Sequence, residues 1–291
     1  MAGDSNSPAK LADLIRRPPI QYPSWIDPVI LPKGGLFVFG GHSKIGKSMM
    51  ALEMTRALST GDRLFGYGGF RATECRVLYL EREIGEFGLQ ARSSKIFQHE
   101  DITRVEDNVW YVSQDPDLNF DTNGGLGRIA DHIDKTGANV LIADPISHMF
   151  SVDENDATAM ARVFNNIEYL RAMFRSQGLS VVIAHHFGKP PQGKFQDSYD
   201  HLSFHNFRGS SKFFSAPDTL LTAWRVENLP LPYESWRLKV RWICRQGESP
   251  PEQYLSVNQN QDLRVYWERN AVENRAPAQE ERRLRFSPVG G

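Results

Sequence analysis

Apolar residues in this chain fall into short continuous runs, and stretches with helical spacing lie between them. The runs at 35–39, 76–80, 139–143 and 180–184 have the length and Val/Ile/Leu/Phe content of strands buried on both faces. A further strand is expected at 108–112. Residues 49–58, 126–135 and 157–176 carry apolar positions at helical spacing, with Gly61 and Gly178 placed to stop the first and last. Strands alternating with helices predict an α/β fold, with a mostly parallel sheet and right-handed crossovers. Beyond residue 187 the pattern changes. Residues 188–207 have no clear period, and a loop of about 20 residues inside a compact domain is usually functional or disordered. Four more strands, at 219–226, 237–244, 254–257 and 263–267, are spaced as antiparallel hairpins on the sheet edge.

The ends read differently. Residues 1–10 are small and polar. Residues 11–32 hold Pro18, Pro19, Pro23, Pro28 and Pro32, so a short helix at 11–17 should stop at Pro18 and an extended arm should follow. This arm can pack on its own domain or reach a neighbouring subunit. Residues from about 270 on are charged and are expected to be loose. The expected organisation is an N-terminal arm over 1–31, one α/β domain over 32–269 and a tail over 270–291.

The junction of the first long strand and helix carries the strongest chemistry. Gly41-His42-Ser43-Lys44-Ile45-Gly46-Lys47-Ser48 matches the phosphate-binding pattern G-x-x-x-x-G-K-[ST], after a strand and before a helix as that motif requires. The glycines let backbone N–H groups wrap phosphates, and the helix N-terminus adds its positive end. Lys47 is placed to reach the β- and γ-phosphates and Ser48 to hold Mg²⁺; Met49 follows in the first helical turn. The expected ligands are ATP and Mg²⁺. Asp144 directly follows an apolar strand, where a carboxylate can act on Mg²⁺. Pro145 follows it, so a catalytic base must come from another strand. Glu83, in Glu81-Arg82-Glu83 after residues 76–80, is available to polarise water. His185 and His186 end another strand, where a polar side chain can sense the γ-phosphate.

Composition narrows the partners. With 34 basic and 35 acidic residues the formal net charge is −1, so no global field attracts nucleic acid and any such contact must be a local patch. Cys75 and Cys244 form no C-x-x-C pair, which argues against a disulfide framework or a zinc site. The first ten residues lack an apolar signal core, and no run approaches the roughly 18 apolar residues of a membrane span. A soluble, cytoplasmic protein without membrane contact is expected.

Taken in order, several strings resemble the RecA-like ATPases, and among them the RepA-type plasmid replicative helicases with their phage and mobile-element relatives. They are Trp25-Ile-Asp-Pro before Leu31-Pro-Lys-Gly-Gly35, the phosphate loop, Val77-Leu-Tyr-Leu-Glu-Arg-Glu83, Val140-Leu-Ile-Ala-Asp144, Asp153-Glu-Asn155, Ile183-Ala-His-His186 and Phe207-Arg-Gly-Ser-Ser211. The resemblance covers about residues 24–257 and implies a RecA-like P-loop NTPase core, working as a homohexameric ring with ATP at subunit interfaces. It implies Glu83 as catalytic base, Asp144 on Mg²⁺, Arg208 as a finger or pore-side residue, and Arg245 as the arginine finger reaching a neighbour's γ-phosphate. Related helicases often carry Lys-x-Arg there, whereas this chain has Ile243-Cys244-Arg245. It also implies that loops 147–156 and 188–207 line a channel for single-stranded DNA. Lys189, Lys194, Phe195 and Tyr199 in the second loop mix cations with aromatics, as backbone tracking and base stacking require. The implied activity is an ATP-driven motor on single-stranded DNA, most simply a hexameric replicative helicase working with other replication or recombination proteins. A filament-forming recombination ATPase and a nucleotide-gated adaptor with weak hydrolysis are the alternatives.

Overall fold

A computed structural model describes residues 10–17, 22–189, 199–226, 235–258 and 262–268. In chain order its elements are α1 (Leu11–Ile15), β1 (Ser24–Ile26), β2 (Leu31–Pro32), β3 (Leu36–Gly41), α2 (Lys47–Thr60), β4 (Val77–Glu81), α3 (Gly85–Ile96), α4 (Ile102–Glu106) and β5 (Val109–Ser113). These are followed by α5 (Asn123–Thr136), β6 (Val140–Asp144), α6 (Ala157–Met173), β7 (Ser180–His186), α7 (Lys212–Ser215), β8 (Thr219–Val226), β9 (Trp236–Cys244), β10 (Gln253–Val257) and β11 (Val265–Trp267).

Nine strands form one sheet in the order β11-β10-β9-β8-β3-β7-β6-β4-β5. From β8 to β5 all neighbours are parallel; β9, β10 and β11 add to β8 as antiparallel hairpins. The apolar runs are continuous because side chains of the central strands alternate between two cores. Phe37, Phe39, Val77, Tyr79, Val140, Ile142, Val182 and Ala184 face one core, which contains α2. Leu36, Val38, Leu78, Leu80, Leu141, Ala143, Val181 and Ile183 face the other, beneath α5 and α6.

The proline-containing segment packs on its own domain from Ser24 onward. Ser24, Trp25, Ile26, Ile30 and Leu31 are buried, the last four within the α2-side core. The Trp25 indole N–H donates to the Gly178 carbonyl at 2.9 Å. The helix α3 has no sequence periodicity because it carries two glycines and buries only Leu89 and Ile96. None of the described helices is long and apolar enough to cross a membrane.

Register brings the functional ends together. Gly41 pairs with His186 and Glu81 with Asp144, so β3, β7, β6 and β4 all end at one edge of the sheet. In open α/β sheets this carboxyl edge is where ligands bind.

Candidate nucleotide-binding site

The loop Gly41–Ser48 leaves β3 and enters α2 in a conformation only part of which any residue could adopt. Gly46 has φ 106° and Lys44 φ 63°, both left-handed. A Cβ on Gly41 would lie 2.1 Å from Ile45 Cδ1 and 2.7 Å from the Ala223 carbonyl, so the position requires glycine. The loop is braced from the C-terminal hairpins, because the Trp236 indole N–H donates to the Ile45 carbonyl at 2.7 Å. Nothing local in the sequence signals this brace, since it joins residues 191 positions apart.

Lys47 is 7 % exposed. Its ammonium donates to the carbonyls of Gly41 at 3.1 Å and His42 at 2.9 Å, and makes no ion pair among the described residues. Burial pulls its pKa down to about 8, against the opposing pull of Asp144 and Glu83. A buried ammonium satisfied only by neutral carbonyls, at the N-terminus of a 14-residue helix, suits an anion such as a phosphate chain. Ser48 and Met49 in the first turn are half-buried, while Ser43 and Lys44 are exposed.

Asp144 is 3 % exposed at the end of β6. The Tyr79 hydroxyl donates to Asp144 Oδ2 at 2.5 Å. Burial raises the carboxyl pKa, and the hydroxyls of Tyr79 and Ser48 beside it oppose that rise. A hydroxyl and a carboxylate beside a phosphate loop are the hard oxygen donors that Mg²⁺ prefers.

Glu81 and Glu83 have different surroundings. Glu81 is 1 % exposed and its carboxylate accepts from the backbone N–H groups of Glu83, Ile84 and Gly85 and from the Ser113 hydroxyl. It pins the turn that presents Glu83, a role that the sequence reading did not assign. Glu83 is exposed and faces a cavity of about 930 Å³ with Ser43, His148, His186, Lys189 and Arg208 on its walls.

The paired histidines divide in the same way, and the ring of His185, expected near the γ-phosphate, lies in the core. Its ring is fully buried, stacked on Phe213 at 3.8 Å, and Nε2 donates to the Arg208 carbonyl at 2.9 Å. Burial takes its pKa down to about 3, which favours the neutral ring. Strand alternation turns His186 the other way, into the cavity, where burial and then Lys47 take its pKa down to about 4.

Arg208 lies on the same cavity, its guanidinium paired with Glu154 and its backbone N–H donating to the His186 carbonyl at 3.1 Å. Arg245 does not. It follows Cys244, which pairs with Thr219, itself the partner of Phe37 near the start of β3. Arg245 therefore sits at the opposite sheet edge, roughly 13 Å of strand from its own phosphate loop, and its guanidinium donates to the Ser215 carbonyl. Lys189 is exposed on the cavity wall. Tyr199 is set edge-on to His201, which stacks on Trp224 at 3.6 Å, and Trp224 meets the ring of His42 edge-on. Lys194 and Phe195 lie outside the described residues.

A family model described as an AAA domain, AAA_25, matches residues 5–192, more than half of the chain and all of the site elements from β3 to β7. The chain belongs to the AAA domain family. It is a P-loop ATPase domain of the RecA-like superfamily, and this membership supports nucleotide binding, typically with Mg²⁺, and nucleotide hydrolysis. The match ends before β8, so the hairpins that brace the AAA domain's phosphate loop through Trp236 fall outside it. No curated protein matches the chain.

Proposed function

We propose that this AAA domain is an ATP-driven motor acting on single-stranded DNA, a replicative helicase of the RepA kind that works as a homohexameric ring in the cytoplasm. The observation that carries the reading is the meeting of two sets of groups at one sheet edge. Lys47, Ser48, Asp144 and Glu83 gather beside a cavity whose outer wall carries Lys189 and Arg208. The first set suits hydrolysis of a nucleoside triphosphate. The second offers the exposed Lys189 and Arg208, the latter held by Glu154, to a polyanion at that edge.

In this reading Lys47 and the loop N–H groups hold the phosphates. Ser48 and Asp144 hold Mg²⁺, which when bound neutralises charge on the phosphate oxygens. Glu83 orients and polarises the attacking water, a contribution of about 10²- to 10⁴-fold for positioned general bases. His186 takes the sensing position beside the phosphates. Arg245 lies away from its own loop, which supports action on the nucleotide of a neighbouring copy. Lys189, Arg208 and Tyr199 are the DNA-side residues. Other replication or recombination proteins would supply loading and priming.

A forked DNA duplex with a labelled strand tests this reading. Strand release that needs ATP and is lost in Glu83→Gln, with nucleotide affinity retained, is the expected result. ATP turnover without strand release, accompanied by open filaments on DNA in electron micrographs, would replace the helicase with a recombination ATPase. Turnover unchanged in Glu83→Gln would point to an adaptor.

A further inference from the structure

The site contains a buried phenol that the nucleotide reading leaves unused. Tyr79 sits on β4 opposite Ile142 of β6, one alternation before the Glu81–Asp144 pair. Its side chain leaves the sheet on the same face as theirs, and a long aromatic can span the diagonal to the next position of a neighbouring strand. Tyr79 does so, placing its hydroxyl 2.5 Å from Asp144 Oδ2.

We propose that Tyr79 is a positioning residue for the metal-binding carboxylate, its hydroxyl fixing the rotation of Asp144 so that the remaining lone pairs point toward Ser48 and the cation. The proposal rests on the reading of Asp144 and Ser48 as the Mg²⁺ side of the site. Three features carry it. Asp144 is the last residue of β6, and without a partner its carboxylate would turn about its last bond. The group that holds it is neutral, so it orients the carboxylate without cancelling the charge that a cation needs; an arginine in its place would do both. The phenol is itself buried, 2 % exposed, with its ring forming part of an apolar groove among Leu52, Leu89, Phe97 and Val109. Partners that orient metal ligands typically contribute about 10- to 100-fold to metal affinity.

The test compares wild type with Tyr79→Phe, which keeps the ring and its packing and removes only the hydroxyl. A fluorescent ATP analogue is titrated onto the full chain in EDTA and again across a Mg²⁺ series. The expected result is an unchanged dissociation constant in EDTA, together with about a tenfold loss of the Mg²⁺-dependent tightening and a matching rise in the Mg²⁺ needed for half-saturation. Tyr79→Met, also lacking a hydroxyl but flexible enough to fill the space, repeats the measurement should the phenylalanine variant fold poorly, and the same loss is expected. A lower melting temperature with Mg²⁺-dependent tightening equal to wild type overturns the proposal and leaves Tyr79 a core residue. Wild type that binds no nucleotide overturns the reading of the loop itself, and the positioning role with it. Wild type that tightens with Mg²⁺ while Tyr79→Phe does so equally overturns the positioning role alone.

Discussion

Glu81 and His185 are polar side chains whose burial makes sense only through the backbone they hold. Three successive N–H groups end on the Glu81 carboxylate, fixing the turn from which Glu83 projects. Glu81→Ala leaves those donors unpaired and the turn loose. Turnover should fall by about tenfold or more, because misplacing a catalytic group by an ångström can cost about 10²-fold. Nucleotide affinity, measured by titration, should stay near wild type, since Lys47 and the loop are held separately. His185 gives the pH dependence. Its folded pKa of about 3 lies below the ordinary 6.5, so as pH falls the unfolded chain takes up the proton first. Its contribution is complete above pH 6.5 and is lost progressively between pH 6.5 and about 3. Denaturant unfolding across that window should show stability falling with pH, and His185→Phe should flatten the slope by up to about 1.4 kcal/mol per pH unit. An unchanged slope would mean that the ring is not held neutral.

At the scale of elements, α2 ties the phosphate loop to the rest of the domain. Nearly all of this helix is buried, including Glu53 and Arg56 at 0 % exposure. Arg56 donates to Glu53 at 2.8 Å, Asp62 at 2.9 Å and Glu100 at 2.8 Å, and Glu53 also accepts from Arg264 beside β11. Removing one member of such a buried network leaves a charge without its partner, at a cost of about 3–5 kcal/mol. Arg56→Ala should lower unfolding stability by that order in a denaturant melt, whereas Arg16→Ala, in an exposed pair with Asp13, should change it by less than about 1 kcal/mol. These networks also show what could be read without the fold. Gly41, Lys47, Glu83 and Asp144 follow or begin periodic elements, so strand order alone brings them to one edge. The C-terminal hairpins were legible from the spacing of four short strands. The Tyr79 hydroxyl, the Trp236 brace and the reach of Arg264 to Glu53 join residues through folded contacts that no local pattern announces, and nothing in Glu81-Arg82-Glu83 says which acid turns inward to clamp the turn. α3 was invisible because its glycines and its two buried positions give no period.

For the whole molecule, Arg245 stands at the sheet edge opposite its own phosphate loop, and in the proposed ring it acts on the nucleotide of a neighbouring copy. Arg245→Ala should reduce turnover while leaving nucleotide affinity and subunit association intact. Mixing it with Lys47→Ala should restore part of the activity, because an intact loop from one variant can then meet an intact arginine from the other. Steady-state turnover at varied mixing ratios checks this, and activity that never exceeds the sum of the two variants alone would place the stimulating arginine elsewhere, with Arg208 the next candidate. In the proposed motor the net charge of −1 leaves DNA contact to local cations such as Lys189 and Arg208, so DNA affinity should fall as salt rises and weaken further in Lys189→Ala, measured by fluorescence anisotropy. The most direct measurement is steady-state ATP hydrolysis with and without single-stranded DNA, for wild type and Lys47→Ala. The account predicts several-fold stimulation by DNA in wild type and no turnover in the variant. Hydrolysis that is indifferent to DNA would contradict the motor and leave an ATP-driven switch whose partner is a protein.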